Sequence, residues 1–259
     1  MAGKQDTKTR GNCLKKKRNL FPNLREIFFK RASLFLHGNR DGVSLNFLQK
    51  SSNRIFLSTE EFMINSKLNY SDLQKDLNRS KKLYEKSINW HKSVTSEKWN
   101  AEFQLFSLLY TLVKSKKPQL VVETGVANGI STNAIMFALD EGNHSGSLHS
   151  FDVLPETKDA YTGKGKWDFH LLDKKRTHKQ ISRILGNYSY VDIWLHDSNH
   201  GYRWQKFEYL LALSRLKTDG ILISDDIDAS SAWGELAKTH FRESYVVFDS
   251  RKFVGIAFK

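Results

Sequence analysis

The feature that most constrains the fold is a regular alternation of short apolar runs and helical segments after residue 118. Three segments have the apolar spacing of helices, and they lie at residues 131–139, 174–185 and 202–216. Seven apolar runs predict strands, at residues 120–122, 147–153, 168–172, 191–195, 221–223, 245–248 and 253–258. Because strands and helices alternate, we predict an α/β fold with a doubly wound parallel sheet and right-handed crossovers.

The last two predicted strands break this pattern. Only four residues, 249–252, separate them, whereas two parallel strands need a much longer connection. The final pair is therefore predicted to be an antiparallel hairpin. The expected fold is a Rossmann-like, seven-stranded sheet with an antiparallel last strand.

The first 95 residues differ in composition and charge from the rest, and they are predicted to form a basic N-terminal extension with accessory helices. The principal domain is predicted at residues 96–259. Residues 1–31 hold ten Lys and Arg against two acids, a large share of the chain's net charge of +13. Residues 58–61 read as a capped helix start. The basic arm suits phosphates or an anionic membrane surface, but a solvated tail is the competing interpretation.

Composition excludes several classes of protein. The chain has 259 residues and a single Cys, which rules out an internal disulfide framework and favours a reducing compartment, here predicted to be the cytoplasm. The sequence has no run of eighteen apolar residues, so no transmembrane segment is predicted.

The first predicted strand runs into a glycine-containing turn, E-T-G-V-A-N-G-I-S at residues 123–131. Glycine allows a tight turn and lets a ligand approach the backbone closely. The dinucleotide fingerprint G-x-G-x-x-G does not fit, because Ala127 occupies its second glycine position. An acid two residues before Gly125 suits a ligand that carries positive charge. An ordinary strand–helix turn is the alternative.

Carboxylates follow three further strands. Asp152 ends the second strand, where a carboxylate can accept hydrogen bonds from ribose hydroxyls or simply cap a helix. Asp197 follows the fourth strand, and Asp225 and Asp226 follow the fifth. We expect these last three to converge and to need a cation, because close carboxylates repel one another. Oxygen ligands of this kind suit Mg²⁺, Mn²⁺ or Ca²⁺.

His200 lies three residues after Asp197, and a histidine there can act as a general base near neutral pH. The alternative is structural: the acids after the fifth strand cap the next helix and His200 is a surface histidine.

These segments resemble one known family. Residues from about 100 to 259 resemble class I S-adenosylmethionine-dependent methyltransferases, and within them the metal-dependent O-methyltransferases of the catechol, caffeoyl-CoA and macrolide-sugar types. The resemblance lies in V-V-E-T-G-V-A-N-G-I-S, in S-F-D, in V-D-I-W-L-H-D-S-N-H-G-Y and in L-K-T-D-G-I-L-I-S-D-D-I. The first 95 residues carry no such resemblance.

The resemblance implies a cofactor site for S-adenosylmethionine. Glu123, Gly125 and Gly129 would frame its methionine end, Ser131 would bind the carboxylate of that methionine, and Asp152 would bind the ribose.

The resemblance also implies a metal site. Asp197, Asp225 and Asp226 would hold a divalent cation, Mg²⁺ in the first instance, and His200 would be the base, as in the sugar-modifying members. The catechol-type members use Lys at the position of His200.

The function predicted from the sequence is metal-assisted O-methylation of a small hydroxylated acceptor such as a sugar or phenol. One rival is an RNA methyltransferase that grips nucleic acid with the basic arm, although the sequence contains no recognisable RNA-binding module. The other is a non-catalytic member that binds the cofactor or a partner. A homo-oligomer is a further alternative, because the amphipathic N-terminal segments could pack against a second copy of the chain.

Overall fold

The computed structural model describes residues 45–52, 54–66, 68, 70–90, 94–142 and 145–259. The basic arm predicted at residues 1–31 lies outside the described residues.

Eight strands and eight α-helices make up the described part of the chain. The strands are β1 (Arg54–Phe56), β2 (Leu120–Thr124), β3 (Ser147–Asp152), β4 (Trp167–Leu171), β5 (Val191–His196), β6 (Leu216–Ser224), β7 (Glu243–Asp249) and β8 (Lys252–Phe258). The helices are α1 (Leu45–Ser51), α2 (Thr59–Asn65), α3 (Leu73–Trp90), α4 (Phe103–Lys116), α5 (Ile130–Glu141), α6 (Thr177–Leu185), α7 (Tyr202–Arg215) and α8 (Ala232–His240).

The strands form one sheet in the order β1-β7-β8-β6-β5-β2-β3-β4. The pairs among β2 to β6 are parallel, while β8 is antiparallel to both β6 and β7. The α/β sheet and its antiparallel final hairpin are therefore confirmed. The difference from the predicted seven strands is β1, a three-residue strand of the accessory region that pairs parallel with β7.

Helices cover both faces of the sheet because the central strands are apolar on both sides. In β2, Val121 packs with α4 and α5 on one face, and Val122 packs with α6 and α7 on the other. The two faces give two separate hydrophobic clusters, which is the arrangement that a doubly wound sheet requires.

The described accessory residues share the core of the principal domain. Ser58 caps α2 by accepting a hydrogen bond from the backbone N–H of Glu61 at 3.1 Å, as the sequence indicated. Phe62 of α2 and Leu83 of α3 are buried in the same cluster as α4. The division at residue 95 stays a prediction.

Among the described helices, none combines the length and the apolar character needed to cross a membrane.

Candidate functional site

The carboxyl ends of four parallel strands meet at one end of the sheet. Thr124, the last residue of β2, is level with Phe151 of β3 and with His196, the last residue of β5. His196 is in turn level with Ser224 at the end of β6. The loops that follow these strands start side by side, at the place where ligands bind in open α/β sheets. All predicted site residues lie at or next to these strand ends.

The loop at residues 125–129, here called the glycine loop, approaches its neighbours too closely for side chains. Gly125 has φ +87° and Gly129 has φ +76°. A Cβ on Gly125 would lie 1.9 Å from the carbonyl oxygen of Asp197, and one on Gly129 would lie 2.6 Å from the Cβ of Ala160. The glycine loop therefore packs directly on the backbone of the acid-bearing loop after β5.

Glu123 lies beneath the glycine loop and is fully buried. Its carboxylate accepts hydrogen bonds from the hydroxyls of Ser131 at 2.7 Å, Thr132 at 2.7 Å and Ser150 at 2.6 Å. Burial raises the pKa of Glu123 to about 7, and the three hydroxyl donors oppose that rise. Ser131, predicted to bind the carboxylate of the cofactor, here uses its hydroxyl to anchor Glu123.

Asp152 holds the glycine loop in place. Its Oδ2 accepts hydrogen bonds from the backbone N–H groups of Val126 at 2.8 Å and Ala127 at 3.3 Å, and its Oδ1 accepts one from Leu154 at 2.9 Å. The carboxylate therefore fixes the turn that lies over the strand ends. Its predicted contact with ribose stays a prediction.

We expect Asp152→Ala to lower the free energy of unfolding by about 1–3 kcal/mol, because buried backbone donors lose their acceptor. Asp152→Asn keeps one carbonyl oxygen and should lose less. Urea denaturation without any ligand measures this difference. Unchanged stability of the alanine variant would mean that the loop does not depend on this carboxylate.

Asn128 also holds the glycine loop in place, and sequence reasoning missed this residue. The side-chain oxygen of Asn128 accepts hydrogen bonds from the backbone N–H groups of Val94 at 3.0 Å and Thr95 at 2.8 Å, and its amide donates to Asn100 at 2.8 Å. The segment that leads into α4 is thereby tied to the glycine loop.

The three predicted metal ligands, here called the acid cluster, are brought together with His200. The Nε2 atom of His200 lies 3.9 Å from Oδ1 of Asp197 and 3.6 Å from Oδ2 of Asp226. Asp225 is only 1% exposed. The convergence of these side chains at the ends of neighbouring strands agrees with the sequence prediction.

The residue that sequence reasoning missed is Lys252. It is the first residue of β8, and its side chain is only 5% exposed. Its Nζ forms an ion pair with Oδ2 of Asp225 and lies 4.0 Å from Oδ2 of Asp226. No local motif marks it. The signal is topological: since β8 is antiparallel to β6, the start of β8 lies beside the carboxyl end of β6.

Burial and mutual repulsion set the charges in the acid cluster. Burial raises the pKa of Asp226 to about 6, with Asp225 adding to the rise and Lys252 opposing it. The same causes hold the pKa of Asp197 well above its ordinary value. Burial alone would lower the pKa of Lys252, but the attraction of Asp225, Asp197 and Asp226 outweighs it and raises that pKa. The neighbouring carboxylates therefore favour the ammonium form of Lys252.

His200 has the opposite shift. Burial and the neighbouring His196 lower the pKa of His200 to about 4, although Asp225 acts to raise it. The imidazole is therefore neutral at pH 7 and able to accept a proton. Its Nδ1 is buried without a hydrogen-bond partner among the described residues.

Behind His200, a buried pair supports the loop after β5. The Nδ1 atom of His196 hydrogen-bonds with the carboxylate of Glu208 on α7, which also accepts hydrogen bonds from the hydroxyls of Thr124 and Ser198. Burial alone would raise the pKa of Glu208, but His196 and the hydroxyl donors outweigh it and lower that pKa. This pair fixes the start of the loop that carries Asp197 and His200.

The folded acid cluster fits a divalent cation poorly. One observation favours an added positive group: Oδ1 of Asp225 is buried without a hydrogen-bond partner among the described residues. The other oxygen of that carboxylate, however, is already paired with the Lys252 ammonium. Within the described part of the chain, no group of three or more His, Cys, Asp or Glu side chains is arranged to hold a metal ion. The magnesium site stays a prediction.

Comparisons with known proteins bear on the segment that carries this site. Residues 122–227 match the family described as "Methyltransferase domain". A Podospora anserina methyltransferase, solved with S-adenosylhomocysteine bound, has 11% identity and a TM-score of 0.50, over 93% of this chain and 99% of that one. This likeness concerns the fold.

A Bacillus cereus O-methyltransferase in complex with S-adenosylhomocysteine has 15% identity and a TM-score of 0.45, over 76% of this chain and 95% of that one. A comparison with curated proteins finds no match.

Proposed function

We propose that this chain is a class I S-adenosylmethionine-dependent methyltransferase that methylates a hydroxyl oxygen of a small acceptor. Residues 122–227 match a methyltransferase-domain family. The observation that carries the proposal is the position of the His200 imidazole, which lies 3.9 Å from Asp197 and 3.6 Å from Asp226 on the loop that packs against Gly125. A hydroxyl needs a base before its oxygen can attack a methyl group, and this arrangement supplies one next to the glycine loop.

The residues proposed for the cofactor are Glu123, Gly125, Gly129, Ser131 and Asp152. Their fit rests on the place of the glycine loop, which follows β2 at the strand ends where ligands bind in open α/β sheets. Its two glycines let the loop pack on the backbone of Asp197 and on Ala160. Acidic groups beneath and beside the loop favour a ligand with a positive charge. When bound, S-adenosylmethionine supplies a methyl group on a positively charged sulfur.

His200 takes the proton from the acceptor hydroxyl in this proposal. S-adenosylmethionine would supply the methyl group: the acceptor oxygen would form the new O–C bond as its O–H bond breaks, and the electron pair of the broken S–C bond would stay on sulfur. The proton remains on the imidazole of His200, where the carboxylates of Asp197 and Asp226 stabilise the new positive charge. The transfer would need no reactant besides the acceptor and S-adenosylmethionine.

The divalent cation implied by the sequence resemblance enters no step of this mechanism, because the acid cluster already contains an ammonium. The basic arm, on which an RNA-modifying function would depend, lies outside the described residues.

The test is transfer of a labelled methyl group from S-adenosylmethionine to a panel of phenols, sugars, amines, carboxylic acids and RNA. We expect label in a methyl ether, which survives the mild alkali that hydrolyses methyl esters. Label found only on RNA, on nitrogen or in an alkali-labile ester would contradict O-methylation of a small acceptor. Calorimetric binding of S-adenosylmethionine serves as the control that the protein is folded.

A further inference from the structure

Lys252 places a positive charge inside the acid cluster, where the sequence leads one to expect a metal ion. Its ammonium is paired with Asp225 and faces Asp226 at 4.0 Å. Asp197 attracts the same ammonium. Two of the three predicted metal ligands, Asp225 and Asp226, thus lie within 4.0 Å of a cation that belongs to the chain itself.

The position of Lys252 is built into the fold. Two hydrogen bonds join Phe253, the residue after Lys252, to the loop after β6: the N–H of Ile227 donates to the carbonyl of Phe253 at 3.1 Å, and the N–H of Phe253 donates to the side chain of Asp228 at 3.3 Å. Lys252 also pairs with Asp249 in the register of the β7–β8 hairpin. The start of β8 therefore cannot move away from Asp225 without breaking the hairpin or the loop after β6.

A divalent cation in the same place would meet a direct electrostatic penalty. Two positive groups within a few ångströms of each other repel strongly in a site shielded from water. Expelling Lys252 would in turn leave a buried ammonium without its partner, which is costly. The cluster is already neutralised in part, because Lys252 pairs with Oδ2 of Asp225. Only Oδ1 of that carboxylate is without a hydrogen-bond partner among the described residues.

We infer that the Lys252 ammonium is the resident cation of the methyl-transfer site and that the chain binds no divalent metal in the acid cluster. The ammonium keeps three neighbouring carboxylates together, and it has N–H donors beyond the one that Asp225 accepts. Such a donor stabilises the negative charge that develops on the acceptor oxygen as His200 removes its proton. This inference rests on the proposed O-methylation for its catalytic part, whereas its metal-binding part is independent of any acceptor.

The first measurement is the binding of Mn²⁺ to the protein, detected by electron paramagnetic resonance in the presence of S-adenosylmethionine. The wild-type protein is expected to leave Mn²⁺ free, and Lys252→Met is expected to bind it, because methionine keeps much of the length of the side chain without its charge. Lys238→Met, on the exposed surface of α8, is the matched control and should behave like wild type. Lys252→Arg retains a charge and should also leave Mn²⁺ free.

Saturable Mn²⁺ binding by the wild-type protein would overturn the inference if Asp225→Asn abolished that binding. Absence of Mn²⁺ binding by a folded Lys252→Met protein would overturn it as well. Lys252→Gln provides a second uncharged variant if the methionine protein fails to fold, with circular dichroism and S-adenosylmethionine binding as the criteria. None of these measurements needs an acceptor, so they remain decisive even if the proposed O-methylation is wrong.

The second measurement applies once an acceptor has been found. Wild-type turnover should be unchanged by EDTA, whereas Lys252→Met should lose about 100-fold or more in kcat without metal and regain part of it with Mg²⁺ or Mn²⁺. Loss of wild-type turnover in EDTA, restored by Mg²⁺, would overturn the inference while leaving O-methylation intact. A Lys252→Met enzyme as fast as wild type in EDTA would also overturn the catalytic role of the ammonium.

Discussion

Replacement of Gly125 by alanine is expected to abolish cofactor binding and to destabilise the fold. The new Cβ would stand 1.9 Å from the carbonyl oxygen of Asp197, so one of the two backbones must move. In addition, φ of +87° costs an L-residue roughly 1–2 kcal/mol. The displacement falls between the glycine loop and the loop that carries the acid cluster, so both halves of the proposed site are disturbed at once.

Calorimetry with S-adenosylmethionine and a thermal melt measure the two effects of this change. Gly186→Ala is a suitable control, since Gly186 has an ordinary helical φ of −60° and lies at the end of α6. It should leave cofactor affinity nearly unchanged. Wild-type affinity in the Gly125→Ala protein would show that the glycine loop is not the cofactor site.

His200→Ala is expected to reduce kcat by about 10²- to 10⁴-fold, the usual contribution of a general base, with little change in the affinity for S-adenosylmethionine. Burial and His196 lower the pKa of His200 to about 4, so the wild-type imidazole is neutral above that pH. Titration of His200 should therefore leave the wild-type rate unchanged near neutral pH and lower it only as the pH approaches 4. The surrounding charged groups are Asp197, Asp225, Asp226, Lys252 and Glu208.

Single-turnover rates measured against pH test this prediction, with His240→Ala on the exposed end of α8 as the control variant. An alanine variant at position 200 with wild-type kcat would remove His200 from the mechanism. A parallel loss of kcat and cofactor affinity would indicate a structural role for the side chain instead.

The principal sheet could be predicted from sequence because each strand carries a local signal. Val121 and Val122 belong to a short apolar run that a glycine turn ends, and the four-residue spacing before β8 allowed only an antiparallel pair. The strand β1 could not be predicted in this way. Its three residues, Arg54–Phe56, become a strand only because they pair with Tyr245–Val247 of β7, a contact that no local pattern encodes.

The candidate site was predictable where the strand ends decide its geometry. Asp197, Asp225, Asp226 and His200 come together because β5 and β6 are neighbours. Lys252 was not predictable from its surroundings in the sequence, since its place depends on how the hairpin inserts into the sheet.

The interior hydrogen bonds of the site were also beyond sequence reasoning. Ser131 and Asp152 were assigned to the cofactor from a resemblance, while the fold shows Ser131 bonded to Glu123 and Asp152 bonded to backbone N–H groups. Which donors and acceptors satisfy one another depends on packing, and packing is settled only when the strands are in register.

The pairing of β1 with β7 has a consequence for shortened forms of the protein. Without residues 54–56, β7 would become the outermost strand, and its backbone N–H and C=O groups would be free to recruit a strand from another molecule. The buried valines at 246 and 247 would lose part of their cover at the same time. Residues 54–56 of the accessory region thus cover the edge of β7. A truncation at the start of α3 would remove them and leave that edge open to aggregation.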